Sequence, residues 1–406
     1  MHNIKVIIGA SYGDEGKGLA TDFFGAGAAG QETINVLTNG GPQRGHTAEL
    51  GDGRRHVFKH FGAATFRGAA SYYAAQFMVN PMEFIREYGE LSALHKAPEA
   101  YMHPRCRFTT PWDMLVNQLL LEKKGLHNSC GFGIWETVLR YQRGYGLPLS
   151  TFFNMNRDDR LIYLKRLRDN YFAGRLHELG ISCDGGKSLL CPDGAGLYSF
   201  FFTDELLRHF EEDCESMRYL CPVRDDLYLR NYQTVLFENA QGLLLDGNSE
   251  KEKEFTTPST TGAGKVLETV ERVFDSADIE IVYVTRSYLT RHGDGSMENE
   301  IAEEQLADKL PGVRADLTNV ENRFQGNLRY GMMDVNSLAE RIAADFTRCT
   351  RAAGSRYRPS VMVTHLNEFA DIDTDSLLHR FGTVYMSDGR TCRDIHRETV
   401  SKTITM

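Results

Sequence analysis

The chain has 406 residues, enough to bury a large core as one big α/β unit or as two domains. Its 41% hydrophobic and 25% charged residues, with a mean hydropathy of −0.39, are those of a soluble globular protein. A formal charge of −9 argues against an extended nucleic-acid or anionic-membrane surface, because both need clustered Lys and Arg, while a local basic pocket for phosphates stays open.

Met1 to Gly9 lacks the apolar length and cleavage pattern of a signal peptide. No stretch approaches the roughly 18 apolar residues of a membrane-spanning helix. Cysteines 106, 130, 183, 191, 214, 221, 349 and 392 are scattered without zinc-ligand spacing, which reads as reduced thiols in a cytoplasmic protein. Lys5–Ile8 is a short β-rich run ending in the glycine-rich turn Gly9–Gly18, and Leu19–Phe24 resumes with helical spacing. Strand, glycine loop and helix make the phosphate-binding arrangement of α/β proteins. From about 80 to 230 the pattern is mainly helical, as in Arg157–Leu179 and Asp204–Glu215. Further β runs fall at Thr234–Phe237, Ile279–Thr285 and Ser360–Val363, and ligands of doubly wound sheets bind at the C-terminal ends of such strands. The expected fold is one α/β domain over 1–406: a large, mostly parallel sheet flanked by helices, a P-loop-like phosphate loop, and a helical insertion around 80–230.

The densest chemical signal is Gly9-Ala10-Ser11-Tyr12-Gly13-Asp14-Glu15-Gly16-Lys17-Gly18. It is not a Walker A loop, because the glycine spacing is too long and Gly18 stands where Ser or Thr would hold Mg²⁺. Backbone N–H groups at a helix start, with Lys17, still form an anion cradle. Asp14 inside that cradle is repelled by phosphates unless it binds a cation or a proton, which points to metal ligation, general-base work or both. The plain alternative is a turn aspartate capping the helix. Asp184-Gly185-Gly186-Lys187-Ser188 contains Gly-Lys-Ser but has no glycine at position 181 and no strand before it, so it reads as a decoy.

Positions 13–18 resemble the Gly-Asp-Glu-Gly-Lys-Gly fingerprint of the adenylosuccinate synthetase family without a change. Gly40-Gly41-Pro42-Gln43-Arg44-Gly45-His46-Thr47 is similar to its Gly-Gly-x-Asn-x-Gly-His-Thr segment. Phe237–Asp246 resembles its Glu-Gly-Ala-Gln-Gly-x-Leu-Leu-Asp stretch, Thr256–Gly262 its Thr-Ser-Ser-Asn-Thr-Thr loop, Arg286–Gly293 its Lys-Ala-Tyr-x-Thr-Arg-x-Gly element, and Arg329–Asp334 its Arg-Thr-Gly-Trp-Leu-Asp. The segments run in family order over nearly the whole chain.

The resemblance implies a ligase that phosphorylates a 6-oxopurine monophosphate with a nucleoside triphosphate and then couples L-aspartate to C6. It implies Asp14 as the base at N1, His46 as a donor to developing phosphate charge, and Lys17 and Gln241 as further catalytic groups. Mg²⁺ would be held by Asp14 and the Gly45 carbonyl. The triphosphate would meet Gly13, Glu15, Gly16, Gly18, Thr47, His365, Asn367, Ser387 and Gly389. The monophosphate would meet Gln43, Ser129, Cys130, Thr256 and Arg143, the last contributed by the partner of a homodimer. Aspartate would meet Thr318, Arg323 and Arg329.

Several departures bear on substrate. The family reads guanine with Thr-Lys-Leu-Asp, and this chain has Thr364-His365-Leu366-Asn367. A carboxylate accepts both guanine donors, N1–H and N2–H, whereas an amide suits adenine's acceptor–donor edge; the mismatch costs roughly 1–3 kcal/mol. The donor is therefore expected to be ATP or dATP. Gln43 and Cys130 alter the acceptor side, which is similar to a viral branch that acts on dGMP and uses adenine nucleotides, although that branch often lacks the loop aspartate that is present here. IMP with GTP is the conventional alternative. Asn322–Arg329 holds only two arginines, a thinner aspartate clamp than the family's.

Overall fold

The computed structural model describes residues 2–125, 129–181, 200–248, 255–313, 324, 326–350 and 356–400. The strands are β1 (His2–Gly9), β2 (Thr33–Leu37), β3 (His46–Glu49), β4 (Arg55–Phe58), β5 (Ala70–Tyr73), β6 (Met78–Val79), β7 (Ala100–Met102), β8 (Arg107–Phe108), β9 (Thr234–Gly242), β10 (Ala277–Arg286), β11 (Leu289–His292), β12 (Leu328–Gly331), β13 (Tyr357–Thr364), β14 (Thr383–Ser387) and β15 (Ile395–Thr399). Nine of them form one sheet in the order β15-β14-β13-β10-β1-β9-β2-β5-β7. Every neighbouring pair is parallel except the edge pair β14–β15. The expected large, mostly parallel sheet is there, and its four β-rich runs extend a few residues beyond the sequence limits.

Both faces of the sheet are covered, which is why its central strands read as continuous apolar runs. Ile4, Val6 and Ile8 of β1 point to one face, where helices Gly264–Val273 and Val335–Thr350 supply Val266, Val270, Leu338 and Ile342. Ile7 points to the other, against Ala20 of α1 (Lys17–Ala26). A second core gathers Leu37, Tyr73 and Met102 with the helices between 81 and 220, including Pro81–Leu94, Pro111–Lys124 and Asp204–Leu220. The described part of 80–230 is mainly helical, as its spacing implied, with β6, β7 and β8 as short interruptions. The Asp184–Ser188 segment lies outside the described residues. No helix among the described residues is long and apolar enough to cross a membrane.

The centre of the sheet carries one irregularity. The β1–β9 pairing jumps from Ile7 opposite Glu238 to Gly9 opposite Gly242, so β9 bulges at its C-terminal end. The bulge carries Gln241, whose φ of 65° is left-handed.

Candidate active site

The carboxyl ends of the central strands open into a cleft of about 900 Å³. Its floor is the loop from Gly9 to α1. Gly13 and Gly16 both have φ of 92°, and Asp14 between them has φ of 56°, a conformation a side chain rarely adopts. The loop is pinned from three sides. Thr364 Oγ1 donates to the Glu15 carbonyl at 2.9 Å, Arg286 Nε donates to the Asp14 carbonyl at 2.5 Å, and the buried Glu15 carboxylate accepts the Ser11 N–H. Burial pushes the Glu15 carboxyl above its ordinary range, with Lys17 Nζ at 3.4 Å acting the other way. Helix α1 begins at Lys17 with no side-chain cap, which leaves its first N–H groups for an anion. Glycine at 18 has a steric cause: a Cβ there would stand 2.5 Å from the Thr47 carbonyl oxygen, where α1 crosses β3.

The Asp14 side chain lines the cleft, and its carboxylate makes no hydrogen bond among the described residues; His292 Nε2 lies 3.9 Å from it. It does not cap α1, so the plain alternative for it falls away. Lys17 and Gln241 line the same space. His46, the first residue of β3, has Nδ1 2.5 Å from Glu238 Oε1, and Arg44 Nη2 lies 2.6 Å from the same oxygen. Glu238 is fully buried in the middle of β9, and its other oxygen accepts the Ala63 N–H at 3.2 Å. Arg44 and His46 hold the Glu238 carboxyl at a pKa of about 2 against the effect of burial. Burial, reinforced by the Arg44 charge, drops the His46 pKa to about 3, so the imidazole is neutral.

Two groups of side chains flank this centre. On one side are Gln43, Ser129, Cys130 and Thr256. Cys130 Sγ contacts the Gln43 carbonyl at 3.5 Å, Ser129 Oγ donates to Asn117, and both amide atoms of Gln43 are buried without partners among the described residues. The loop bearing Thr256 is tied down by Asp246, which accepts the Thr261 N–H, and by Asn239 Nδ2, which donates to the Thr261 carbonyl. On the other side are Thr47, His365, Asn367 and Gly389. His365 has φ of 62°, and its Nδ1 lies 2.8 Å from Thr364 Oγ1. The Gly45 backbone is exposed at the rim of the cleft.

Not every expected residue reaches the cleft within this chain. Ser387 is buried and donates to the Gly389 carbonyl, supporting the turn rather than facing the opening. Arg143 pairs on the surface with Glu178 at 2.9 Å. Its neighbour Arg140 is fully buried against Asp113 and cannot serve a phosphate. Arg329 pairs with Glu300 beside the cleft. Thr318 and Arg323 lie outside the described residues. Arg44, Lys59, Arg286, His292 and Arg390 also line the cleft, although no sequence motif gives them a role. Arg44 stands in plain view between Gln43 and Gly45, but nothing in a sequence announces that an arginine is buried.

The family model for adenylosuccinate synthetase matches residues 6–170 and 195–351. The chain belongs to the adenylosuccinate synthetase family. An adenylosuccinate synthetase from Clostridium beijerinckii is 24% identical over 301 residues, covering 73% of this chain and 65% of that protein. One from Geobacillus kaustophilus is 25% identical over 318 residues, covering 76% and 67%. The chain thus aligns with slightly less than two thirds of the clostridial relative's length. Among solved structures, fully ligated adenylosuccinate synthetase from Plasmodium falciparum superposes with a TM-score of 0.69 at 15% identity, over 97% of this chain and 99% of that one. Cyanophage S-2L succinoaminodeoxyadenylate synthetase, solved with dGMP and dATP, does so with a TM-score of 0.62 at 15% identity, over 99% and 96%. Both share the adenylosuccinate synthetase fold with this chain.

Proposed function

We propose that this chain is an adenylosuccinate-synthetase-type C–N ligase that couples L-aspartate to C6 of a purine nucleoside monophosphate, with dGMP as acceptor and ATP or dATP as phosphoryl donor. The observation that carries the ligase reading is the Asp14 carboxylate, free of hydrogen bonds among the described residues, in one cleft with Lys17, His46 and Gln241. In the first step Asp14 takes the N1 proton, and O6 attacks the γ-phosphorus. An O6–P bond forms as the P–O bond to the nucleoside diphosphate breaks. Lys17, His46 and the N–H groups of α1 share the spreading negative charge. In the second step the aspartate amine attacks C6. A C–N bond forms, the C6–O bond breaks, and inorganic phosphate leaves. Gln241 orients the purine and the phosphoryl group, so positioning rather than covalent catalysis carries the rate.

Mg²⁺ fits the donor set: one carboxylate without a protein hydrogen bond among the described residues (Asp14) and the carbonyl of an exposed glycine (Gly45), the rest coming from phosphates and water. When bound, it neutralises charge on the transferred phosphoryl group.

The substrate assignment rests on side chains. Asn367 is exposed at the donor end, and its amide complements adenine better than guanine. Gln43 and Cys130 change the acceptor end in the direction of the viral branch, whose S-2L member was solved with dGMP and dATP. Retention of Asp14 favours a second reading, IMP with GTP. Arg143 is not among the residues lining its own cleft and pairs with Glu178 at the surface, and in this reading it is donated across a homodimer in the cytoplasm. The test is a matrix of dGMP, GMP and IMP, each with ATP, dATP or GTP, plus aspartate and Mg²⁺. Phosphate release is expected with dGMP and an adenine nucleotide. Turnover only with IMP and GTP overturns the substrate assignment, and no release in any combination overturns the ligase.

A further inference from the structure

The cations that line the cleft are mostly spent inside the protein. Lys17 Nζ faces the Glu15 carboxylate at 3.4 Å, Arg44 Nη2 the Glu238 carboxylate at 2.6 Å, and Arg55 Nε the Glu49 carboxylate at 4.0 Å. Lys59 differs. Its Nζ makes no ion pair and no hydrogen bond among the described residues, and rests over the face of the Phe132 ring, 4.9 Å from the centroid. A ring face attracts a cation without neutralising it. This half-buried ammonium, in a chain of net charge −9, therefore keeps its charge for a ligand.

The β3–β4 hairpin builds this placement. Along β4, Arg55 and Val57 line the cleft while Phe58 is buried, so strand alternation brings Lys59 to the cleft side. Its backbone is fixed from behind, because the N–H groups of Lys59 and His60 both donate to the Glu87 carboxylate, itself buried. The flexible four-carbon stem thus starts from a fixed point. Phe132 lies two residues beyond Cys130, and Cys130 Sγ contacts the Gln43 carbonyl at 3.5 Å. Lys59 therefore belongs to the flank of Gln43, Ser129 and Cys130, not to that of His365 and Asn367. Neither nearby arginine supplies a cation there from within the chain. Arg140 is spent on Asp113, and Arg143 pairs with Glu178 outside the cleft.

We propose that Lys59 binds the 5′-phosphate of the acceptor nucleotide, so that the site takes a purine nucleoside monophosphate and discriminates against the bare nucleoside. The phosphate is the charged group that the acceptor brings to this flank, and it accepts from an ammonium in a charge-assisted hydrogen bond, stronger than the hold of an aromatic face. A further cation donated across a homodimer adds to Lys59 without replacing it. The inference rests on the proposed function, which puts the acceptor at this flank, and the two fail differently. Absence of turnover in the substrate matrix removes the ligase reading, whereas monophosphate binding indifferent to Lys59 removes only the inference.

The experiment is calorimetric titration of the full chain, with Mg²⁺ and a non-hydrolysable ATP analogue present, by two matched pairs: dGMP with deoxyguanosine, and IMP with inosine. In the wild type the monophosphate of the preferred pair should bind more tightly than its nucleoside. Lys59→Met, whose unbranched side chain keeps the packing on Phe132, should weaken that monophosphate by about 10- to 100-fold, the loss of one charge-assisted hydrogen bond. The nucleoside should bind the variant as it binds the wild type. Lys59→Arg should keep most of the affinity, and the salt dependence of monophosphate binding should flatten in Lys59→Met. A merely structural role predicts equal losses for monophosphate and nucleoside, and that result overturns the proposal. So does a Lys59→Met protein of unchanged monophosphate affinity, or a wild type that binds no monophosphate. A loss confined to KM for the triphosphate or for aspartate places Lys59 at another anion and overturns it too. Should Lys59→Met fail to fold, the wild type decides. The preferred monophosphate, and not its nucleoside, should shield Lys59 from amine acylation read by peptide mass spectrometry, and equal acylation with and without the monophosphate overturns the proposal.

Discussion

The two flanks of the cleft are built differently from its floor. The floor, Gly9 to Gly18, is specified by backbone: left-handed φ at Gly13, Asp14 and Gly16, a crossing too close for a Cβ at Gly18, and helix N–H groups without a cap. Few residue types can satisfy those conditions, so the segment leaves a mark in the sequence. The flanks are specified by side-chain hydrogen-bonding edges, Asn367 on one side and Gln43 and Cys130 on the other. One polar side chain there replaces another without moving the backbone. Under the proposed function the floor carries the reaction and the flanks carry the choice of substrate.

The largest effect should come from the floor. Asp14→Asn keeps the shape and removes the base, so kcat is expected to fall by about 10²–10⁴-fold, the range of a general-base contribution. Because the carboxylate makes no protein hydrogen bond among the described residues, thermal stability should change little. Retained turnover in a folded variant would refute its role. Gly18→Ala tests the steric half of the same claim. Its methyl would meet the backbone of Thr47, which cannot yield as a flexible side chain can, and roughly 1–3 kcal/mol of stability should be lost, as for other overpacked sites. A Gly18→Ala protein of unchanged denaturation midpoint would show that α1 and β3 are not locked together.

The same division explains what was legible beforehand. The sheet and α1 could be read because Lys5–Ile8 and Ile279–Thr285 are apolar runs buried on both faces, and the loop because its glycines are sterically required. The Glu238 carboxylate was visible as a motif letter, but not as the partner of Arg44, since the two lie 194 positions apart and meet only through the parallel pairing of β9 with β1 and β2. Arg140 and Arg143 stand three positions apart in the sequence, which does not tell their surroundings apart. Burial separates them, with Arg140 spent on Asp113 and Arg143 left at the surface with Glu178. The resemblance implied Ser387 and Gly389 together at the triphosphate, yet Ser387 is buried with its hydroxyl donating to the Gly389 carbonyl, and only Gly389 lines the cleft.

A smaller effect is expected at the donor flank. Asn367→Asp replaces a donor–acceptor edge by an acceptor-only one, leaving the exposed loop intact. The ratio of kcat/KM for GTP over ATP should rise by roughly 10- to 100-fold, the equivalent of about 1–3 kcal/mol for one mismatched hydrogen bond. An unchanged ratio would mean that Asn367 does not face the base, and the donor assignment would lose its main support.

The effect that is smallest at neutral pH concerns two histidines that flank one hairpin, His46 at the start of β3 and His60 just after β4. His46 in the cleft and His60 in the core, whose Nε2 accepts the Asn80 N–H, are both held neutral by burial, each at a pKa of about 3. In the unfolded chain a histidine titrates near about 6.5. Between those values the unfolded state binds protons that the folded state refuses, so their contribution to stability is full above about pH 6.5 and is lost as pH falls towards 3. Glu238, at about 2 when folded, acts in the same direction below the ordinary carboxylate range. The denaturation midpoint should therefore be flat above neutrality and fall in mild acid, each excluded proton contributing about 1.4 kcal/mol per pH unit. Saturating triphosphate separates the two histidines, because only His46 faces the ligand. Phosphate oxygens at Nε2 favour its protonation and should shrink the acid slope by up to one proton, while His60 keeps its share. A slope that nucleotide leaves untouched would place His46 out of reach of the phosphates and return the hairpin to a purely structural part.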